Sequence, residues 1–128
     1  METVAFERFR EAFLAGDAGQ VAAAFTPDAA YATNAGVLLR GREQISAGSA
    51  AWFRLRPPGA VVELQVELLR AGSRDDLRWE LIEYRQHGYL PDRPDAGGID
   101  EAGYAMAIYH REPDGAWLIE SLVVNKRA

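Results

Sequence analysis

The sequence predicts an α+β domain, three N-terminal helices packed on a strongly curved, mainly antiparallel sheet of five to six strands. Three observations carry this expectation. Apolar residues recur at helical spacing only in the first 54 positions. From Val61 onward, apolar and polar residues alternate in runs of strand length. Helices first and strands afterwards is an α+β order, not the alternation of a parallel α/β sheet.

In the first helix, Ala5, Phe6, Phe9, Ala12 and Phe13 form the apolar stripe, and Glu7, Arg8, Arg10 and Glu11 hold the other side. It stops near Gly16. Asp17 then caps a short second helix, with Gln20 placed to reach back and Val21, Ala24 and Phe25 inward. Thr26-Pro27-Asp28 ends it. Residues 29–33 form a short strand, continued by residues 37–39 beyond the Asn34-Ala35-Gly36 turn. The third helix runs over residues 42–54 and is ended by Pro57-Pro58. Its stripe is Ile45, Gly48, Ser49 and Trp52, small enough in part to lie close to a sheet.

Residues 61–69 set Val62, Leu64, Val66 and Leu68 against Glu63, Gln65 and Glu67, a half-buried strand. A turn over 71–76 leads to a strand over 77–87, with Leu77, Trp79, Leu81, Glu83, Arg85 and His87 on one face. Residues 90–103, rich in Pro, Asp and Gly, read as a long loop of the kind that forms lids and rims. A closing hairpin joins residues 104–111 and 116–124 through Glu112-Pro113-Asp114-Gly115. Pro113 disfavours a narrow two-residue turn, so a three-residue loop with a Gly bulge pairs Arg111 with Trp117. That register puts Tyr104, Met106, Ile108 and His110 with Val124, Leu122, Glu120 and Leu118, and Ala105, Ala107 and Tyr109 with Val123, Ser121 and Ile119. Both faces are largely apolar and need cover. The helices supply one cover, and a homodimer packed through the sheet face is the economical second.

The 128 residues read as one domain, 1–128, able to bury about two-thirds of its unfolded surface. Hydrophobic residues at 48% and charged residues at 26% are ordinary for a globular protein. A net charge of −5 without any Lys/Arg concentration argues against nucleic acid. No apolar run approaches the ~20 residues that span a bilayer, and the N-terminus lacks a signal-peptide pattern. The absence of cysteine excludes disulfides and thiolate chemistry and fits a cytoplasmic protein. His87 and His110 alone, without ligand spacing, give no metal site, and no cofactor motif is present.

FLAGDAGQVAAAFTPDAAY, GREQI and EAGYAMAIYHREPDGAWLIESLVVN together resemble the nuclear transport factor 2-like superfamily, also called SnoaL-like or cystatin-like. The matching positions at the end of the chain are Glu101, Gly103, Tyr104, Tyr109, Arg111, Asp114, Gly115, Trp117 and Asn125. The resemblance implies a conical pocket between helices and sheet, and a fold shared by ketosteroid isomerases, polyketide cyclases, limonene epoxide hydrolase and scytalone dehydratase. Reaction does not follow from fold. The isomerase base, an Asp on the first strand, aligns with Thr33, beside Asn34. Tyr31 and Asn34 match an epoxide hydrolase-like Tyr and Asn, but its Asp-Arg-Asp array has only Glu83-Tyr84-Arg85 as an approximation. The Asp of some relatives' last strand is Leu122 here.

Two acids are the candidate catalytic groups. Glu120, by the register above, falls among Leu118, Leu122, Met106 and Ile108, where burial would raise its pKa and suit it to proton transfer. The plain alternative is a shifted register or an Arg partner at the sheet edge. Glu83 shares a face with Arg85 and His87, a polar end to a pocket or a strand leaving the core. Tyr31, Asn34, Trp52, Phe53, Trp79, Leu81, His87 and Met106 are the candidate substrate-binding residues, the aromatic ones equally readable as core. The expectation is a protein binding a small hydrophobic or aromatic molecule, with isomerase-, cyclase- or hydrolase-like proton transfer. The alternative is a non-catalytic dimeric binding or assembly module.

Overall fold

Asp17 divides the first two helices: its side chain accepts a hydrogen bond from the Gln20 N–H at 3.1 Å, and Gly16 before it takes φ 69° to turn the chain. The computed structural model describes residues 4–93 and 98–127. In order they form α1 (Val4–Ala15), α2 (Ala18–Ala23), β1 (Phe25–Ala32), β2 (Leu38–Arg40), α3 (Gly41–Arg54), β3 (Val61–Arg74), β4 (Leu77–Tyr89), β5 (Ile99–Arg111) and β6 (Trp117–Lys126). The six strands make one curled, unclosed sheet in the order β2-β1-β6-β5-β4-β3. Only β1 and β6 run parallel. The expected three helices and α+β class are present.

Several boundaries differ from the sequence expectation. Phe25 and Thr26 belong to β1 and not to the second helix, because Phe25 pairs with Ile119 and packs edge-on against Phe9. β3 and β4 run through the expected 71–76 turn and leave only Asp75 and Asp76 between them, with Asp75 at φ 55°. β5 begins at Ile99, so the expected 90–103 loop ends early; its residues 94–97 lie outside the described residues.

The closing hairpin turns as expected, with Arg111 opposite Trp117 and Gly115 at φ 90°. Its faces differ farther on. Between the pairs Tyr109–Ile119 and Ile108–Ser121, β6 holds one extra residue, Glu120. This β-bulge reverses which residues face the helices. Ile119, Leu122 and Val124 cannot share a face in a regular strand, since an alternating pattern separates 119 from 122 and 124. The bulge lets all three join Ala105, Ala107 and Tyr109 against the core cluster, and it ejects Glu120 to the exposed side. Burying a lone carboxylate would cost several kcal/mol.

Aromatic rings bind the helices to the sheet. Phe9 meets Phe6, Phe13, Phe25 and Tyr31 with ring centroids 5.2 to 6.0 Å apart. Each such buried side chain contributes about 1.5–3 kcal/mol. Arg10 Nε donates to the Leu64 carbonyl at 2.7 Å, fixing α1 on β3. Arg56 stacks on Phe13 and Phe53 and donates to the Phe13 carbonyl at 2.7 Å, closing the C-terminal end of α1.

Candidate functional site

The inner face of the sheet carries large side chains at some positions and almost none at others. Ala105 on β5 leaves a hollow that Phe6, Phe9 and Phe13 from α1 and Trp52 and Phe53 from α3 roof over. The resulting cavity encloses about 410 Å³. Its walls are mainly apolar. Val37 and Leu55 reach the cavity yet stand 51% and 74% exposed, so the mouth itself is apolar. No Asp, Glu, Lys or Arg lines it among the described residues.

Polar groups gather where β1, β4 and β5 supply Tyr31, Tyr84 and Glu101 and the turn after β1 supplies Asn34. Asn34 Nδ2 donates to Glu101 Oε1, and Lys126 Nζ lies 3.8 Å from the other carboxylate oxygen. Gln86, buried on β4 opposite Glu101, adds an amide to the lining. The Tyr84 hydroxyl is buried and has no hydrogen-bond partner among the described residues. Burial first, and then the Glu101 charge, push its pKa up. The Asn34 amide, close by without a hydrogen bond of normal geometry, partly offsets them. Tyr31 is pushed up as well, by burial and then by Tyr84 and Glu101. Both phenols therefore hold their protons at neutral pH.

Of the sequence-predicted residues, Tyr31, Asn34, Trp52 and Phe53 line the cavity. Trp79, Leu81, Glu83, His87 and Met106 do not; they lie on the outer face. The pairing of Leu64 with Gln86 and of Val66 with Tyr84 puts Ile82, Tyr84 and Gln86 inward and the alternate residues of β4 outward. Trp79 and Met106 are 41% and 40% exposed there, and Glu83 pairs with Arg127 at 3.2 Å. Glu120 lines a polar groove at the opposite side, with Asp28, His110 and Glu112. The groove opens where β1 advances five residues while β6 advances two, parting the two strands.

Tyr84, Gln86 and Glu101 were missed by sequence reasoning. The inward face of β4 opens on the charged pair Arg78 and Glu80 and reads as polar, so Trp79 and Leu81 drew the wrong face inward. The usable signal was the apolar face of β3: a tight turn at Asp75-Asp76 pairs that face with Ile82, Tyr84 and Gln86. Among the described residues, no three His, Asp or Glu side chains come together as a metal would need.

No family model matches the chain, and no curated protein matches it in sequence. Solved structures do. A domain of unknown function with a cystatin-like fold from Nostoc punctiforme superposes with a TM-score of 0.74 at 22% identity, over 98% of this chain and 74% of that one. The fold is cystatin-like. A ketosteroid isomerase-like protein from Erwinia carotovora atroseptica shares this cystatin-like fold with a TM-score of 0.79 at 13% identity, over 98% and 92% of the two chains. So does a candidate dehydratase of the NTF2-like family from Streptomyces avermitilis, with a TM-score of 0.81 at 16% identity, over 98% and 93%. These likenesses carry the cystatin-like, NTF2-like fold and leave the reaction open.

Proposed function

We propose that this protein binds a small apolar or aromatic molecule in the cone between its helices and its sheet. The observation that carries the reading is a mainly apolar cavity of about 410 Å³ with its polar groups collected at one end. Such a site buries a ligand's body and orients it through a few hydrogen bonds. Tyr31, Asn34, Trp52 and Phe53 contact the ligand, and Tyr84 and Gln86 join them. The isomerase-like and dehydratase names of two fold neighbours support a reaction by proton transfer. A homodimer through the outer sheet face belongs to the same reading, as does a cytoplasmic location. No membrane-length apolar helix occurs among the described residues.

A non-catalytic binding module is the second reading. It is favoured by the lining itself, which holds no carboxylate among the described residues, and by the positions of Glu83 and Glu120 outside the cone.

A thermal-shift screen against steroids, terpenoids and polycyclic aromatics tests binding. A ligand at about 100 times its Kd stabilises by about 2.7 kcal/mol and raises Tm by several degrees. Ala51→Trp, at an exposed lining position, narrows the cavity and cancels the shift while leaving the unliganded Tm in place. An absence of any shift across the panel rejects the binding reading. Conversion of a binder into product, followed by chromatography, separates enzyme from binding module.

A further inference from the structure

Resting on the binding reading, we infer that the tip of the β1–β2 hairpin, residues 33–37, is the gate of the cone, and that the hydrogen bond between Asn34 and Glu101 is its latch. The tip borders the cavity along most of its length, for Thr33, Asn34, Ala35 and Val37 all line it. Val37 is exposed as well, so this segment forms one side of the mouth.

The base of the hairpin is fixed and its tip is not. β2 lies at the edge of the sheet and pairs with β1 at Ala30–Arg40, Tyr31–Leu39 and Ala32–Leu38. There Leu39 rests against α3, so close that a Cβ on Gly48 would strike it. Beyond Ala32 the chain leaves these supports. Ala35, Gly36 and Val37 are exposed, and a Cβ on Gly36 would meet nothing within 4 Å. The turn keeps its own bonds: the Thr33 N–H donates to the Val37 carbonyl at 2.9 Å, and the Gly36 N–H to the Thr33 carbonyl at 3.0 Å. These hold the tip in shape without tying it to the molecule. Segments with few buried contacts open locally at low free energy, and lids are drawn from them.

Among the described residues, a single side-chain hydrogen bond leaves the tip, from Asn34 Nδ2 to Glu101 Oε1. Its acceptor is charged, which makes it roughly twice as strong as a neutral bond. Glu101 is a firm anchor. It stands on β5 opposite Gln86, with Lys126 Nζ of β6 3.8 Å from its other oxygen. Breaking the bond frees the tip to swing outward, which carries Val37 off the mouth and widens the way in. Glu101 lies outside the lining and is thus a positioning residue, not one that touches the ligand.

Amide hydrogen exchange reads the latch, and stopped-flow binding of the neutral fluorescent dye N-phenyl-1-naphthylamine reads the gate. Asn34→Ala and Glu101→Ala each remove the latch, the second without altering the lining. In both, exchange at Thr33 and Gly36 should quicken about tenfold, the loss of one hydrogen bond to a charged group. Exchange at Ile82, fully buried in the core, reports any global loosening. In Glu101→Ala, association and dissociation of the dye should both accelerate by the factor seen in exchange, with Kd little changed, because entry follows the population of the open tip. Asn34→Asp sets two carboxylates against each other and should open the tip further. Adding Glu101→Gln to it re-forms the bond with donor and acceptor exchanged, and should return exchange and both rates toward wild type. Unchanged exchange at Thr33 and Gly36 in the single variants, or an equal change at Ile82, would overturn the latch. Faster exchange with an unchanged association rate would overturn the gate. In either case dye binding by the wild-type chain leaves the binding reading standing, and its absence would count against both.

Discussion

Among the described residues Glu80 is the most deeply buried acid, with no exposure at all, and it is fully partnered. Tyr109 donates to its Oε1 at 2.6 Å, and Arg78 Nε and Nη2 both lie 2.9 Å from its Oε2. A buried ion pair is an indifferent source of stability when intact and a costly one when halved. Arg78→Met therefore lowers unfolding free energy by about 3 kcal/mol, the low end of the range because the arginine keeps some solvent contact. Arg78→Met with Glu80→Met recovers most of the loss, measured by urea denaturation. Tyr109 makes the pair visible in pH dependence. Its pKa is raised by burial first and then by its hydrogen bond to Glu80 and the Glu80 charge, with Arg78 opposing. Unfolded, it releases its proton near pH 10.0; folded, it holds the proton to higher pH. Above about pH 10 the native state thus binds more protons than the unfolded one, and stability falls as pH rises. Tyr31 and Tyr84 act in the same direction. Below pH 10 their contribution is complete. Tyr109→Phe shallows the fall in urea midpoint between about pH 9 and 11, and an unchanged slope would remove Tyr109 from this account.

Elements were legible where one property decides them. The α1 stripe, the Asp17 cap and the Arg111–Trp117 turn all follow from local spacing, and they stand in the structure. Faces were not legible where both sides of a strand are apolar. A slip of one residue exchanges them, and a bulge makes such a slip inside the strand. Glu120 left the cone for this reason, and Trp79, Leu81 and Met106 were assigned inward for want of a β3–β4 register. Candidate site residues on the helices and β1 fared differently from those on β4 to β6, because there only one face is apolar. Gly103 shows how closely β5 and β6 approach one another. It faces inward between Tyr84 and Lys126, and a Cβ there would run into the Asn125 carbonyl. Gly103→Ala must push β6 away from β5, at a cost of about 1–3 kcal/mol. A Tm lowered by several degrees is the expected result. An unaltered Tm would mean that the strands yield freely at this point.

At the scale of the molecule, the two sides of the sheet have different chemistry from that of a monomer in water. Trp79, Tyr104, Met106, Ile108 and Val123 lie together on the outer face, each between 37% and 52% exposed. The register sets Leu81 beside Met106 and Met106 beside Val123, so the apolar row crosses three strands. Contiguous apolar patches of this kind mark association surfaces more often than isolated exposed residues do. The free edge of β3 is a poorer surface for pairing, since Glu63, Glu67, Arg70 and Arg74 place charge along it. The proposed homodimer therefore packs face to face. A stable one buries about 800 Å² per partner, which a patch spanning β4, β5 and β6 can supply. Light scattering at micromolar concentration should give about 28 kDa, twice the 14.1 kDa chain. Ile108→Lys sets a charge at the centre of the patch, twice over in a two-fold interface, and should give the 14.1 kDa species with unchanged circular dichroism. Because Ile108 points away from the cone, that monomer should still bind whatever the thermal-shift panel finds for the wild-type protein. A wild-type protein that is monomeric at these concentrations would leave the apolar face without this partner.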